Sequence, residues 1–401
     1  MSSPTLPVPP ALSRLERLAL PVGGVFLLAA AVGFTLERGQ FFRSWLLGFL
    51  FWVGVAVGSL GLAMLNQLTG GLWGAVPRRF HEAAGRTLPY LAIAFLPVLL
   101  GAATLYPWAR PEAAQDPVLH SKAAYLNLPF FAVRAAAYFV VWSTLAHFLS
   151  AWSRQQDETP DPARGARLRG LSGIGLVLLA LTTTFAAIDW GMSLAPHWFS
   201  TMYGVLFIVG WTLTALSFTI VLLARVAGEP PFDTVLRPVT VHDLGKLLLT
   251  FTMLWAYVNF SQFLIVWSGN ISEETPFYLR RLQGGWQLLA IALIVFHFAL
   301  PFALLLSRPL KRNARSLAVV AWLMLLMQAV DLYWLIVPDF LGHDAAAAPL
   351  RVHWLDLAAV LGIGGLWLYL FVRQARSRPV LPLGEPAVRA LLAAPQRAEA
   401  H

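Results

Sequence analysis

The chain has 401 residues, of which 58% are hydrophobic and only 12% charged, and its mean hydropathy is +0.66. Ordinary globular chains carry about 25% charged residues, so this composition excludes a soluble enzyme, a disordered chain and a disulfide-built secreted domain. It points instead to an all-α polytopic membrane protein.

Residues 1–13 are Ser/Pro-rich and uncharged, read as an N-terminal tail, and carry no evident signal peptide. Beyond them, charge-free apolar runs recur at lengths that suit membrane-spanning helices. Breaking the runs at Gly/Pro and polar clusters predicts ten helices, over 17–36, 42–69, 87–107, 128–151, 170–191, 199–226, 241–268, 282–306, 315–337 and 354–374. The ninth and tenth reach full length only if Asp331 and Asp356 are admitted into or beside the helix. The runs are continuously apolar, not alternating, which argues against transmembrane strands. Residues 14–376 therefore read as one ten-helix membrane domain, and 377–401 as a Pro/Ala-rich C-terminal tail, extended or docked on partners.

The formal net charge of +9 invites a nucleic-acid reading, but the basic residues sit in loops between apolar runs. Ten spans put both termini on one side. Of the 29 Lys and Arg, 21 fall on that side and seven on the other, with Arg134 inside the fourth helix. That bias predicts both termini in the cytoplasm. The absence of cysteine leaves no thiolate metal site and no cysteine-held iron–sulfur cluster.

Charged groups inside a bilayer are costly and need a partner, a wet cavity or an interfacial position. Asp189, at the outer end of the fifth helix, and Asp331, in the outer third of the ninth, share an Ala-aliphatic-Asp pattern on helices that run the same way. Both are candidate proton acceptors, or else members of ion pairs. Arg134 lies one or two turns into the fourth helix and is expected to pair with Asp189; otherwise it tunes a proton site or faces a quinone. The inner half holds Asn66, Gln67, His147, His297, Asp243 and Lys246, then a polar stretch of Tyr257, Asn259, Ser261 and Gln262 on the seventh helix. Thr240-Val241-His242-Asp243 reads as a capping box, with Lys246 within reach of Asp243 at i+3. His147 and His297 read equally as proton relays or packing histidines.

The proton-path candidates are thus Asp189, Asp331, His147, His297, Asp243, Lys246 and Tyr257, and the quinone or charge-tuning candidates Arg134 and Gln262. The two tiers suit proton half-channels, and they also suit hydrogen-bonded helix contacts. His147 and His297 make at most one haem-ligand pair. No nucleotide-binding loop, dinucleotide fingerprint, metalloprotease motif or nucleophile elbow occurs. No catalytic residue, metal or covalent cofactor is expected in this chain.

Several long strings carry a resemblance. They include Asn66-Gln67-Leu68-Thr69-Gly70-Gly71-Leu72-Trp73-Gly74, Phe80-His81-Glu82-Ala83-Ala84, Tyr125-Leu126-Asn127-Leu128-Pro129-Phe130-Phe131, Pro196-His197-Trp198-Phe199-Ser200-Thr201-Met202-Tyr203-Gly204, His242-Asp243-Leu244-Gly245-Lys246 and Asp331-Leu332-Tyr333-Trp334. From about residue 15 to 375 the chain resembles the ActF-type, NrfD/PsrC-like (polysulfide-reductase membrane-subunit-like) subunits of bacterial alternative complex III, a quinol:cytochrome c or quinol:electron-acceptor oxidoreductase. The resemblance implies two four-helix bundles, helices 2–5 and 6–9, flanked by helices 1 and 10. It implies a subunit of the bacterial inner membrane without its own redox centre, with quinone or quinol and lipid as its ligands. Its partners would be a homologous NrfD-like membrane subunit, an iron–sulfur subunit, multihaem and monohaem cytochrome c subunits and a cytochrome oxidase. Two further readings stand beside this one. In the first, the chain itself binds and oxidises quinol through Arg134, Asp189 and Asp331. In the second it is a secondary transporter, although its Gly/Pro breaks lie near helix ends and not at the midplane.

Overall fold

A computed structural model of the protein describes residues 6–341 and 349–393, and these are helical without strands. Ten helices among them are long and apolar enough to cross a membrane: α1 (Pro10–Leu36), α2 (Arg38–Thr69), α3 (Arg78–Leu100), α4 (Leu128–Glu158), α5 (Pro162–Leu194), α6 (Tyr203–Val226), α7 (Pro238–Gly269), α8 (Trp286–Leu306), α9 (Ala314–Phe340) and α10 (Trp354–Arg376). The chain is a multi-pass membrane protein.

The helix starts follow local chemistry. Asn127 caps α4 by accepting from the Phe130 amide, Asp161 caps α5 through the Ala163 amide, and Asn313 caps α9 through the Arg315 and Ser316 amides. His353 and Asp356 form a capping box at the start of α10. Proline at the first turn of α1, α4, α5 and α7 occupies a position whose amide has no helical partner. These caps lie outside the apolar runs, so several helices begin earlier than hydropathy predicts. Helix α5 starts at Pro162 instead of 170, and α4 continues to Glu158 instead of 151.

Two expectations need correction. Arg78 and Arg79, expected in a loop, lie in the first turn of α3 and are buried, because Arg79 meets Glu82 one turn on, at 2.5 Å, and Asp157 and Ser153 of α4. The expected capping box at Thr240–Asp243 does not form. Helix α7 starts at Pro238, which leaves the Thr240 hydroxyl buried with no partner among the described residues and Asp243 paired with Lys246 at 2.9 Å.

Helices α2 and α6 are central: their most apolar stretches are 83% and 78% buried, against 22% for α1 and α8. Helices α2, α3, α4 and α5 form a closed ring of neighbours, as do α6, α7, α8 and α9. The rings meet where α6 packs on α2 and α5, while α1 and α10 pack on each other and on α2. Glycines permit the closest approaches. A Cβ on Gly58 would lie 2.2 Å from the Trp211 carbonyl oxygen, and one on Gly365 would lie 2.3 Å from Gly23 Cα.

Contacts between connections define two faces. On the face that carries both ends of the described chain, the Ala11 amide donates to Glu229, Arg376 pairs with Glu16, and Arg78 pairs with Glu385 at 2.9 Å. Residues 377–393 form a strap across this face. Val380, Leu381, Val388 and Leu391 are buried, and the Gly384 amide donates to Asp157 at 2.6 Å. The C-terminal tail, expected to extend or to dock on partners, is thus docked on its own chain as far as Ala393; residues 394–401 and 1–5 lie outside the described residues. On the opposite face His197 meets Asp116 at 2.7 Å, and Arg281 meets Asp339 at 2.9 Å.

Candidate functional site

The two carboxylates with matching sequence context occupy different environments. Asp189 lies near the end of α5 with no exposed surface. Arg134 of α4 grips it in a fork, Nε to Oδ2 at 2.8 Å and Nη2 to Oδ1 at 2.9 Å, and the Tyr138 hydroxyl donates to Oδ2 at 2.7 Å. The guanidinium also donates to the Tyr125 carbonyl and stacks 3.7 Å from the Tyr125 ring centre and 4.4 Å from that of Phe130. Burial, with the Asp189 charge nearby, pushes the Tyr125 hydroxyl up to about 12, so that phenol stays protonated at neutral pH. All the charge here is matched.

Asp331 has no such cation. Among the described residues it makes no ion pair; its one hydrogen bond comes from Trp255 Nε1 of α7, 3.0 Å from Oδ2. The other face of this arrangement is His297 of α8, fully buried, whose ring meets the Trp255 ring edge-on with centres 3.9 Å apart. His297 Nε2 lies 2.9 Å from the amide nitrogen of Gln328, one turn before Asp331 on α9, and Gln328 Oε1 lies 3.3 Å from the Thr214 hydroxyl of α6. Since the amide nitrogen donates, Nε2 accepts and Nδ1 carries the proton; Nδ1 is buried and has no partner among the described residues. A cavity of about 30 Å³ opens on Asp331, Gln328 and Thr214, walled by apolar side chains of α2, α6 and α9. That volume accommodates about one or two water molecules.

Local sequence explains how His297 reaches this position. Residues Leu293–Ala299 form a π-helical turn. Pro301 has no N–H for the carbonyl of His297 four residues back, and such widened turns concentrate at functional sites. Helix α6 carries further buried hydroxyls towards the terminal face: Ser217, which has no partner among the described residues, and Thr219, 3.0 Å from His81 Nε2 of α3.

The remaining predicted residues scatter. His147 is exposed on α4, and Tyr257 on α7 is 67% exposed, so neither lies in the interior. Asp243 and Lys246 pair on the rim of α7. Gln262 is buried and accepts from Ser200 at 3.3 Å, away from Arg134's cluster. Asn66 closes α2 by donating to the Gly70 and Gly71 carbonyls. Trp255, Gln328, Thr214 and Tyr138 were not foreseen as site residues. For Gln328 a signal existed, an amide three residues from an intramembrane carboxylate and hence on the same helix face; the other three declare themselves only across helix contacts.

The geometry provides a carboxylate that can take up a proton without breaking an ion pair, beside a hydrogen-bonded imidazole, amide and hydroxyl. Among the described residues no three His, Cys, Asp or Glu side chains gather as a metal-binding group. Neither family models nor curated proteins match this chain.

Proposed function

We propose that the chain is a cofactor-free integral membrane subunit of an alternative complex III type quinol:cytochrome c oxidoreductase, respiratory or photosynthetic. It contributes assembly contacts and a proton path centred on Asp331. In this reading the two helix rings are two four-helix bundles flanked by α1 and α10, both termini face the cytoplasm, and the membrane is the bacterial inner membrane. The partners are a homologous NrfD-like subunit, an iron–sulfur subunit and cytochrome c subunits.

One observation carries the proton assignment: of the two carboxylates in matching sequence context, Asp331 lacks a cation and borders a cavity, whereas Asp189 is locked to Arg134. A carboxylate without a countercharge can gain or lose a proton without separating an ion pair, and a proton carrier must pass between both forms. His297, Gln328 and Thr214 then supply the hydrogen-bonding groups that lead from it. Asp189 and Arg134 are assigned a structural role at the opposite face.

The complex is tested by purification from its native membrane in mild detergent. Multihaem cytochrome and iron–sulfur subunits are expected to co-purify with this chain. Recovery of the chain alone, with substrate transport in liposomes, would establish the transporter reading instead.

A further inference from the structure

Where α7 begins and α8 and α9 meet, an open groove of about 510 Å³ is lined by Pro238, Arg308, Pro309, Arg312 and Asn313. Arg237 and Arg315 adjoin it in sequence. Among the described residues none of Arg237, Arg308, Lys311, Arg312 and Arg315 forms an ion pair with an acid. The nearby carboxylate, Asp243, is already bound by Lys246, and His242 lies within electrostatic reach of Lys246, Lys311 and Arg308.

Lys311 sharpens the point. It is only 8% exposed, its stem packs on Gly245 of α7, and no acceptor for its ammonium occurs among the described residues. A cluster of cations with no paired carboxylate sets up a local field that attracts an anion. Next to these lining residues in sequence, at the ends of two spans, Val239 is 61% and Leu306 59% exposed, an apolar edge adjoining the groove.

From these features we infer that the groove binds a phosphate-bearing anion, and that its apolar edge makes this the headgroup of an anionic phospholipid. Arg308 and Arg312 bond the phosphate oxygens, and the acyl chains lie along Val239 and Leu306. Basic pockets between membrane helices suit such headgroups, and guanidinium groups match phosphate geometry. The inference is independent of the proposed proton path.

The test uses the full chain in mild detergent, by native mass spectrometry with phosphatidylglycerol or phosphatidylcholine. Phosphatidylglycerol is expected to be retained over phosphatidylcholine. Its affinity should fall at least about tenfold in the Arg308→Gln/Arg312→Gln double variant, whose residues are surface-exposed. The Arg167→Gln variant, an exposed arginine outside the groove, should bind as the parent does. A parallel thermal-shift series with inorganic phosphate separates the sources. If phosphate stabilises the parent but not the double variant while phosphatidylglycerol is not retained, the phosphate chemistry stands and the lipid source is rejected. Equal retention of both lipids, or undiminished retention by the double variant without a phosphate effect, overturns the inference.

Discussion

Trp255 donates its indole N–H to Asp331 at 3.0 Å while its ring edge-packs against His297, so a single side chain of α7 ties together a carboxylate of α9 and an imidazole of α8. No cation shares this arrangement among the described residues. A proton can therefore arrive at or leave Asp331 without the cost of breaking a buried ion pair.

Asp331→Asn is accordingly expected to leave the fold nearly unchanged, since the Trp255 bond survives to the amide oxygen; the stability change should stay within about 1 kcal/mol. In the purified complex reconstituted in liposomes, quinol oxidation should persist while the proton-to-electron ratio falls. An unchanged ratio would remove Asp331 from the proton path.

The Arg134–Asp189 pair should behave in the opposite way. Breaking a buried pair from one side leaves an uncompensated charge and costs about 3–5 kcal/mol. Arg134→Met and Asp189→Leu should each lower the unfolding midpoint strongly. The double variant Arg134→Met/Asp189→Leu should regain much of that loss. A double variant as unstable as the sum of the singles would show that the pair is not the dominant interaction.

Helix packing makes a steric prediction. A methyl on Gly58 meets the Trp211 carbonyl oxygen at 2.2 Å, backbone that cannot swing aside. Gly58→Ala should force α2 from α6 and destabilise by about 1–3 kcal/mol. Gly24→Ala, where an added Cβ meets nothing within 4 Å, is the control. Denaturant unfolding in detergent micelles compares the two.

The Asp116–His197 contact gives a pH dependence. Desolvation pushes the Asp116 carboxyl up, but the Val118 and Leu119 amides and His197 outweigh it and hold it below the ordinary value. A depressed carboxyl stabilises the fold at and above its ordinary value near 4, and the contribution is lost as pH falls through its folded value. Pepsin cleavage within residues 107–122 should therefore accelerate only below about pH 4. Asp116→Asn, which keeps the helix cap but cannot titrate, should flatten that dependence.

Ending the chain at Arg376 removes the strap that buries Val380, Leu381, Val388 and Leu391 and strips Arg78 of Glu385. At roughly 1.5 kcal/mol or more per buried aliphatic side chain, the loss should exceed about 3 kcal/mol. Circular-dichroism melting in detergent measures it.

Ten apolar segments, their order and their approximate ends follow from the sequence because hydropathy is a local, additive property of neighbouring residues. Even the earlier helix starts are legible there once Asp161-Pro162 and Arg237-Pro238 are read as caps and first turns. The expected Arg134–Asp189 pair rests on similar depth in two adjacent helices, and the structure places the two side chains in contact. Tertiary packing alone decides the rest. Asp189 and Asp331 sit in nearly the same local string, yet one meets an arginine and the other an indole, because the partner comes from a different helix in each case. The same holds for Arg79, whose local neighbours put it in a solvated loop but whose carboxylate from α4 draws it inside. For a charge in a membrane protein, hydropathy states what burial costs, and only the side chain arriving from the neighbouring helix decides how that cost is met.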